Sequence, residues 1–546
     1  MFVSYGLNRL NLRSHMLHLA TVGGGDQPGK TTMQNVNARE ASLSLRGQQK
    51  SITDAVFISK KMGLEYLWID SLCIVQDDDE DTARELPTMH AVYGSASLVI
   101  SATRSPSSRK GFLELHWPLN TNQSCGYRCP DGSVGTILLQ RAADPSPHEE
   151  IHTRCWTLQE HLLARRVLSF GSSGLRWRCR SGLRFDGPWT KDDVIMNYVE
   201  RDDTYAEPTW KQMLTKVSAP LNLSQSVLDG QTFMISWQDS LLTEWAGLKW
   251  EWCQEKPLEF SAISEALQEW RHMLSSNFTK REITSPADRL PAISAIAAKF
   301  NQIIPGRYLA GLWEVALPHE LLWEASKLEH VRGRDLGSPF PSWSWASMGT
   351  SFKESIEMGM QSDTVPPHSV VTLEPHSANI KLKHVNVPHG HVLSGSLKLE
   401  GYLLPVICKY IGWDAPRFKV SGWDFPRRDQ RRAFFVPRSA PTSADAQVYY
   451  LYAMLDVVMK EEELRDVYCL EIVRRDPRGF NHLALPSAGL VLRKTDRNKY
   501  TRIGVFNMGE WSNDGWYIPN DKVCTEFNVK SNVFVEYARQ RVIELV

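Results

Sequence analysis

The stretch LEYLWIDSLCIVQ, residues 64–76, constrains this chain more than any other. Its nearly continuous apolar run, closed by DDDEDT, has the character of a parallel strand buried on both faces that delivers acids to its carboxyl end. The flanks supply partners for such a strand. SITDAVFISKKMG, residues 51–63, sets Ile52, Ala55, Val56 and Ile58 on a helical period and stops at Gly63. ELPTMHAVYGSA puts Glu85, Met89 and Tyr93 on one helical face, and ASLVISAT follows as a second buried strand. Helix, strand, helix, strand predicts an α/β domain with a parallel sheet.

Downstream, CWTLQEHLLARR reads as a helix and VLSFGSSGLRWRC as one or two strands. Between about 190 and 300 the texture is helical, as in EALQEWRHML and PAISAIAAKF. Past Pro341 it turns to strand-like runs such as SGSLKLEGYLLPVICKY, AQVYYLYAMLDVV and GLVLRKTDRNKYTRIGVF, with residues 351–377 and PRRDQRRAF as loops. The expected organisation is an α/β domain over 1–185, a mostly helical connecting region over 186–335, and a β-rich region over 336–546.

Composition excludes more than it selects. With 62 basic and 62 acidic residues the formal charge is zero, which leaves no global attraction to nucleic acid or to an anionic membrane. Nine scattered cysteines, an odd number, read as free thiols of a reducing compartment. No 18-residue apolar run and no signal-type start is present, so the expectation is a cytoplasmic protein without a membrane span.

Residues 24–32, GGDQPGKTT, match the phosphate-cradling pattern G-x-x-x-x-G-K-[ST], in which Lys30 would reach phosphate oxygens and Thr31 would hold magnesium. MLHLATV before it passes as a short strand. TTMQNVNAREASLSLRG after it makes a poor first helix, so a P-loop NTPase over residues 24–31, with Asp70 as its strand-end acid, stands as a minor alternative. Cys125, Cys129, His152 and Cys155 include one C-x-x-x-C pair without a second, so no metal site is assigned. No G-x-S-x-G or H-E-x-x-H occurs.

Asp70 and Ser71 close the apolar strand, where an open α/β sheet places its ligands, and Gln76 and Asp77 lie next to them. The acids from Asp77 to Asp81 are either a ribose or magnesium site or, more simply, a solvated loop favouring the helix N-terminus that follows. Glu85, Met89 and Tyr93 read as a packing stripe, with Pro87 tolerable only if a helix begins close to it. Trp343 and Trp345 alternate as in a strand and read as a lock on a domain junction.

The block YLWIDSLCIVQDDDEDTARELPTMHAVYGSASLVISA, residues 66–102, resembles the heterokaryon-incompatibility (HET) domain of filamentous fungi, whose signature reads much like LWIDSLCIIQDD. RCWTLQEHLLARRVLSFG resembles the family's W-T-x-Q-E-x-x-L segment, and PSWSWAS its downstream tryptophan motif. DRLPAISAIAAKF, YLAGLWE and GLVLRKTDRNKYTRIGVF match its usual layout, so the resemblance runs through most of the chain.

The resemblance implies an effector in non-self recognition between fungal strains, triggering growth arrest or programmed cell death, with a protein partner from an incompatible allele or another effector and possible homo-oligomers. It also implies a TIR/flavodoxin-like α/β core. Some TIR domains cleave NAD⁺ with a glutamate in a W-C-x-x-E helix, and the matching positions here are Trp156 and Glu160. A catalytic role would therefore fall on Glu160, with Asp70, Ser71, Asp77, Lys30 and Trp156 as residues that bind NAD⁺, a substrate rather than a resident cofactor. Two alternatives stand beside this: Glu160 as a helix-surface partner of nearby arginines, and the whole domain as a non-enzymatic module that signals by assembly.

The chain departs from the family in places. Thr82 stands where a tryptophan is usual, and Thr21 and Val22 replace the aromatic and cysteine of the strand before the K-T-T loop. Either the start of the domain is truncated or rearranged, lacking its first strand, or part of the ligand loop has been lost.

Overall fold

The structure, a computed structural model, describes residues 16–20, 29–113, 123–139, 149–172, 174–179, 182–185, 257–325, 339–348, 352–353, 368–371, 377–411, 419–420, 423–424, 431–439, 449–474, 487–512, 515–517, 534 and 537–546. They fall into two compact units. The first comprises Met1–Gln212, Arg281–Thr284 and Pro291–Ala297, and the second Met213–Lys280, Ser285–Leu290 and Ala298–Val546.

In chain order the first unit holds β1 (Met16–Ala20), α1 (Val36–Ala41), α2 (Lys50–Lys61), β2 (Tyr66–Trp68), α3 (Asp70–Cys73), α4 (Asp79–Glu85), α5 (Met89–Ser95), β3 (Leu98–Ser101), β4 (Gln123–Arg128), β5 (Val134–Leu139), α6 (Cys155–Leu163), β6 (Arg166–Gly171), β7 (Gly174–Cys179) and β8 (Gly182–Phe185). Its sheet runs β2-β1-β3-β6-β7-β8. The first four strands are parallel, while β7 and β8 return antiparallel. The hairpin of β4 and β5 stands apart as its own two-stranded sheet.

Strand alternation sorts the core into two layers. Leu17, Leu19, Leu67, Ile69, Leu98 and Ile100 face one side with Ile52, Ala55 and Val56 of α2. Trp68, Val99 and Val167 face the other with Met89, Val92 and Tyr93 of α5. Each such side chain contributes about 1.5–3 kcal/mol on burial, so the sheet is held from both faces. The alternation foreseen from residues 51–103 is present, and α2 ends before Gly63, whose φ of +68° suits a helix stop.

Several expectations need correction. The first strand is not missing: β1 pairs with both β2 and β3 at the centre of the parallel sheet. The run 64–76 is strand only to Trp68, because Asp70 accepts the Ser71 N–H at 2.6 Å and starts the helical turn α3, with Cys73 N–H donating to Ile69 O at 2.8 Å. An apolar run alone does not separate a buried strand from a buried turn. The packing stripe of Glu85, Met89 and Tyr93 is buried as expected, but it spans α4 and α5, with Pro87 in the 3₁₀ turn Leu86–Thr88 between them. Finally, Arg432–Pro437 is a strand, and its first three residues are the end of the expected loop PRRDQRRAF.

In the second unit Pro257–Ser276 is a 20-residue helix, and the long strand Val392–Ile411 is the spine of a ten-stranded, mainly antiparallel sheet. Residues 186–256, nearly half of the expected helical connector, lie outside the described residues. PSWSWAS is no strand: Trp345–Ser347 form a 3₁₀ turn capped by Ser344. The motif is nonetheless buried, with Trp343 accepting through its carbonyl from Trp323 Nε1 and Trp345 Nε1 donating to Gly311 O, each at 2.9 Å. Among the described residues no helix is long and apolar enough to cross a membrane.

Candidate functional site

The parallel strands run β2-β1-β3, so the chain crosses from β2 over β1 to β3 and leaves a switch point between β1 and β3, where open α/β sheets bind ligands beyond the carboxyl ends of their strands. The segments beyond these ends are laced together. Thr31 N–H donates to Ser71 O at 2.9 Å, its hydroxyl donates to Leu72 O at 2.7 Å, and its carbonyl accepts Gln76 N–H at 2.9 Å. Met33 N–H donates to Asp77 Oδ1 at 2.8 Å. The K-T-T segment and the turn carrying Asp70 thus form one clamp.

That clamp removes the P-loop alternative. The Thr31 hydroxyl, which would hold magnesium, donates to a backbone carbonyl and accepts from Arg39 Nη1 at 3.1 Å. The following helix begins at Val36 rather than at the lysine, so its N-terminus cannot cradle phosphates beside Lys30. Residues 21–28 lie outside the described residues, and Lys30 is half-buried with its carbonyl accepting from Asn35 Nδ2.

The acidic run is mainly structural. Asp78 caps α4 by accepting the Glu80 and Asp81 N–H groups, and buried Asp81 accepts Val75 N–H at 2.8 Å and pairs with Arg84. Asp77 serves Met33, and Ser71 contributes its carbonyl to the clamp. Asp70 is exposed at the end of β2.

Glu160 lies on α6, one turn after half-buried Trp156, with 13% of its side chain exposed. Its Oε2 comes within 3.6 Å of His18 Nε2 on β1, beyond hydrogen-bond range, and that oxygen is buried without a hydrogen-bond partner. His18 is 1% exposed and opposes Trp68 across β1 and β2. Its ring lies 5.1 Å from that of Trp68 and 4.9 Å, edge-on, from that of Tyr93. Burial pushes the Glu160 carboxyl above the usual carboxylate range; His18 opposes this, Asp70 adds to it and Arg154 opposes it. Burial, then Glu160 and Asp70, likewise raises the Tyr93 phenol well above its usual value. Electrostatics thus link Glu160 with Asp70, two of the residues expected from sequence, and with His18 and Tyr93.

Next to Glu160, His161 Nε2 meets Ser101 Oγ at 2.8 Å at the end of β3. Burial, followed by Arg178 and Arg281, pushes the His161 imidazole well below its usual range. His152, with its ring 5.4 Å from that of His161, is lowered in the same way. Among the described residues no group of three or more His, Cys, Asp or Glu side chains gathers as a metal site would require. The only sequence hint of His18 is a polar side chain between Leu17 and Leu19 in an otherwise apolar strand.

Chemically, a desolvated carboxylate within electrostatic reach of an exposed one suits the stabilisation of positive charge developing on a ligand. Residues 23–160, about a quarter of the chain, match the family model described as Heterokaryon incompatibility protein (HET). β1 and His18 lie ahead of that match. No curated protein and no solved structure matches the chain.

Proposed function

We propose that this chain, which carries a heterokaryon incompatibility (HET) domain over residues 23–160, is an effector of non-self recognition whose α/β unit breaks an N-glycosidic bond, with NAD⁺ as substrate. The parallel order β2-β1-β3-β6 supports a TIR/flavodoxin-like reading of the core. The observation that carries the enzymatic part is the Glu160 carboxylate, desolvated and with an unpartnered oxygen, sharing its surroundings with Asp70.

In such a reaction the bond between ribose C1′ and the nicotinamide nitrogen breaks, and its electron pair leaves with the nicotinamide. The leaving group departs neutral and needs no proton. The cation left on the ribose is stabilised by Glu160, and water adds at C1′ and releases a proton, giving ADP-ribose. Asp70, at the end of β2, orients ribose hydroxyls or the water.

A second reading, a non-enzymatic module that signals by assembly, draws on the free-standing β4–β5 hairpin, which exposes Tyr127 at 47% and Val134 at 74%. Incubation of the purified chain with NAD⁺ separates the two. Nicotinamide release that disappears in Glu160→Ala supports the enzyme. No release at any protein concentration, with growth arrest intact in cells carrying Glu160→Ala, assigns the function to assembly.

A further inference from the structure

His18 has no part in the reaction as described, yet it occupies a position where an apolar residue would cost less. It sits in the central strand between Leu17 and Leu19, is 1% exposed, and has neither ring nitrogen hydrogen-bonded. A buried imidazole in that state has given up its bonds to water without replacing them. Packing does not require it, since Trp68 and Tyr93 would close as well around a leucine or methionine. What distinguishes His18 is its neighbour: Nε2 points at Glu160 Oε2, itself unpartnered, from 3.6 Å. Two unsatisfied groups face one another a few tenths of an ångström beyond hydrogen-bond length, so a small torsional change in Glu160 joins them.

We propose that His18 is the positioning residue for Glu160, donating from Nε2 to the carboxylate to fix its orientation and hold it ionised while substrate is bound. The inference rests on the reading of Glu160 as the reacting carboxylate. It goes beyond the HET match, which begins at residue 23. The imidazole donates a hydrogen bond and transfers no proton.

The other groups bearing on Glu160 are Asp70 after β2, Tyr93 of α5 and Arg154 ahead of α6, with His161 next to it in sequence on α6. Asp70 opposes ionisation, and Arg154 favours it from the helix entrance. His161 is engaged with Ser101. His18 is the donor that faces the unpartnered oxygen.

The test uses the full chain with His18→Leu and His18→Gln, glutamine placing an N–H near the position of Nε2. With NAD⁺, His18→Leu is expected to move the acid limb of the kcat profile to higher pH, lowering kcat about tenfold on that limb with KM little changed. His18→Gln is expected to restore most of it. An unshifted limb in His18→Leu, or no rescue by glutamine, overturns the proposal.

A thermal double-mutant cycle of His18→Leu, or of His18→Gln should the leucine variant not fold, with Glu160→Gln decides the pairing independently of turnover. Glu160→Gln is expected to raise Tm more where His18 has been replaced, by a margin that grows as the carboxylate ionises. Additive effects at every pH refute the pairing. Absence of nicotinamide release from the wild-type chain refutes the enzymatic reading instead, and the cycle still reports on His18.

Discussion

Glu160→Gln is expected to stabilise the first unit while abolishing nicotinamide release. The wild-type carboxylate has one buried oxygen without a partner, 3.6 Å from the imidazole that would serve it. Leaving such an acceptor unsatisfied costs about 1–3 kcal/mol. Glutamine keeps the shape, carries no charge to desolvate and presents an amide N–H₂ to the ring nitrogens of His18. For a unit of this length a gain of that size is worth a Tm increase of roughly 2–12 °C.

The effect must follow pH in one direction. Burial raises the folded-state pKa of Glu160 above its unfolded value of 4.5. Its favourable contribution is therefore complete below 4.5 and is lost as pH rises through the folded pKa. Glutamine has no such loss, so melting curves of the two proteins should nearly coincide at pH 4 and separate by pH 8, with the variant higher. Glu85 is shifted in the same direction by its own burial, but it is common to both proteins and cancels. Differential scanning calorimetry across pH 4–8 measures this. If the variant melts lower at pH 7–8, or the difference is constant with pH, Glu160 is a stabilising partner in an ion pair, and the argument for its reactivity fails with it.

Glu149→Ala takes the carboxylate from the buried Arg176 guanidinium, 3.0 Å away, and from the Ser172 N–H and hydroxyl. A thermal melt should show a loss of about 3–5 kcal/mol, with Glu149→Gln milder because it keeps an acceptor. Gly489→Ala would place its Cβ 1.9 Å from the Leu470 carbonyl oxygen, a backbone atom that cannot swing away. The expected result is loss of the second unit's near-UV circular dichroism or of soluble protein. His319 is pushed down to about 3 by burial and Arg271, so its stabilising contribution is complete above 6.5 and is lost as pH falls from there toward 3. His319→Gln should flatten the fall in urea midpoint between pH 7 and pH 4, a contribution of up to about 3 kcal/mol over that range.

What could be read from sequence was what local periodicity records. Helix α2, strand β3, helix α6 and the β6–β7 hairpin carry strong patterns and end at turn residues, and all are present. The errors fall where a side chain competes with the backbone pattern. Asp70 captures the Ser71 N–H and converts the second half of an apolar run into a turn, and Ser344 does the same at Ala346, turning alternating tryptophans into a 3₁₀ element. Asp81 stands in a run that reads as solvated, yet it is 5% exposed and accepts from Val75. Glu160 and Asp70 could be singled out because each stands in a recognisable segment. His18 could not, because its meaning depends on cross-strand register with Trp68 and on a helix more than a hundred residues later.

The K-T-T loop shows how matching letters can mislead about chemistry. In a phosphate loop the threonine hydroxyl must face the ligand; here it donates to Leu72 O, while the Thr31 backbone grips Ser71 and Gln76. Those three contacts hold the turn that follows Asp70, whose carboxylate is tied only to the N–H of its own turn among the hydrogen bonds described. The loop therefore acts as a brace that fixes the turn and leaves the carboxylate at the strand end. Glu160 is fixed by α6, whose first turn is held by Cys155 N–H donating to Glu282 O at 3.0 Å and by the Thr157 hydroxyl donating to Ile151 O at 2.5 Å. Two carboxylates whose mutual repulsion favours separation are held near one another by backbone contacts that neither of them makes. An arrangement of this kind is what the proposed cleavage of NAD⁺ asks of the two carboxylates.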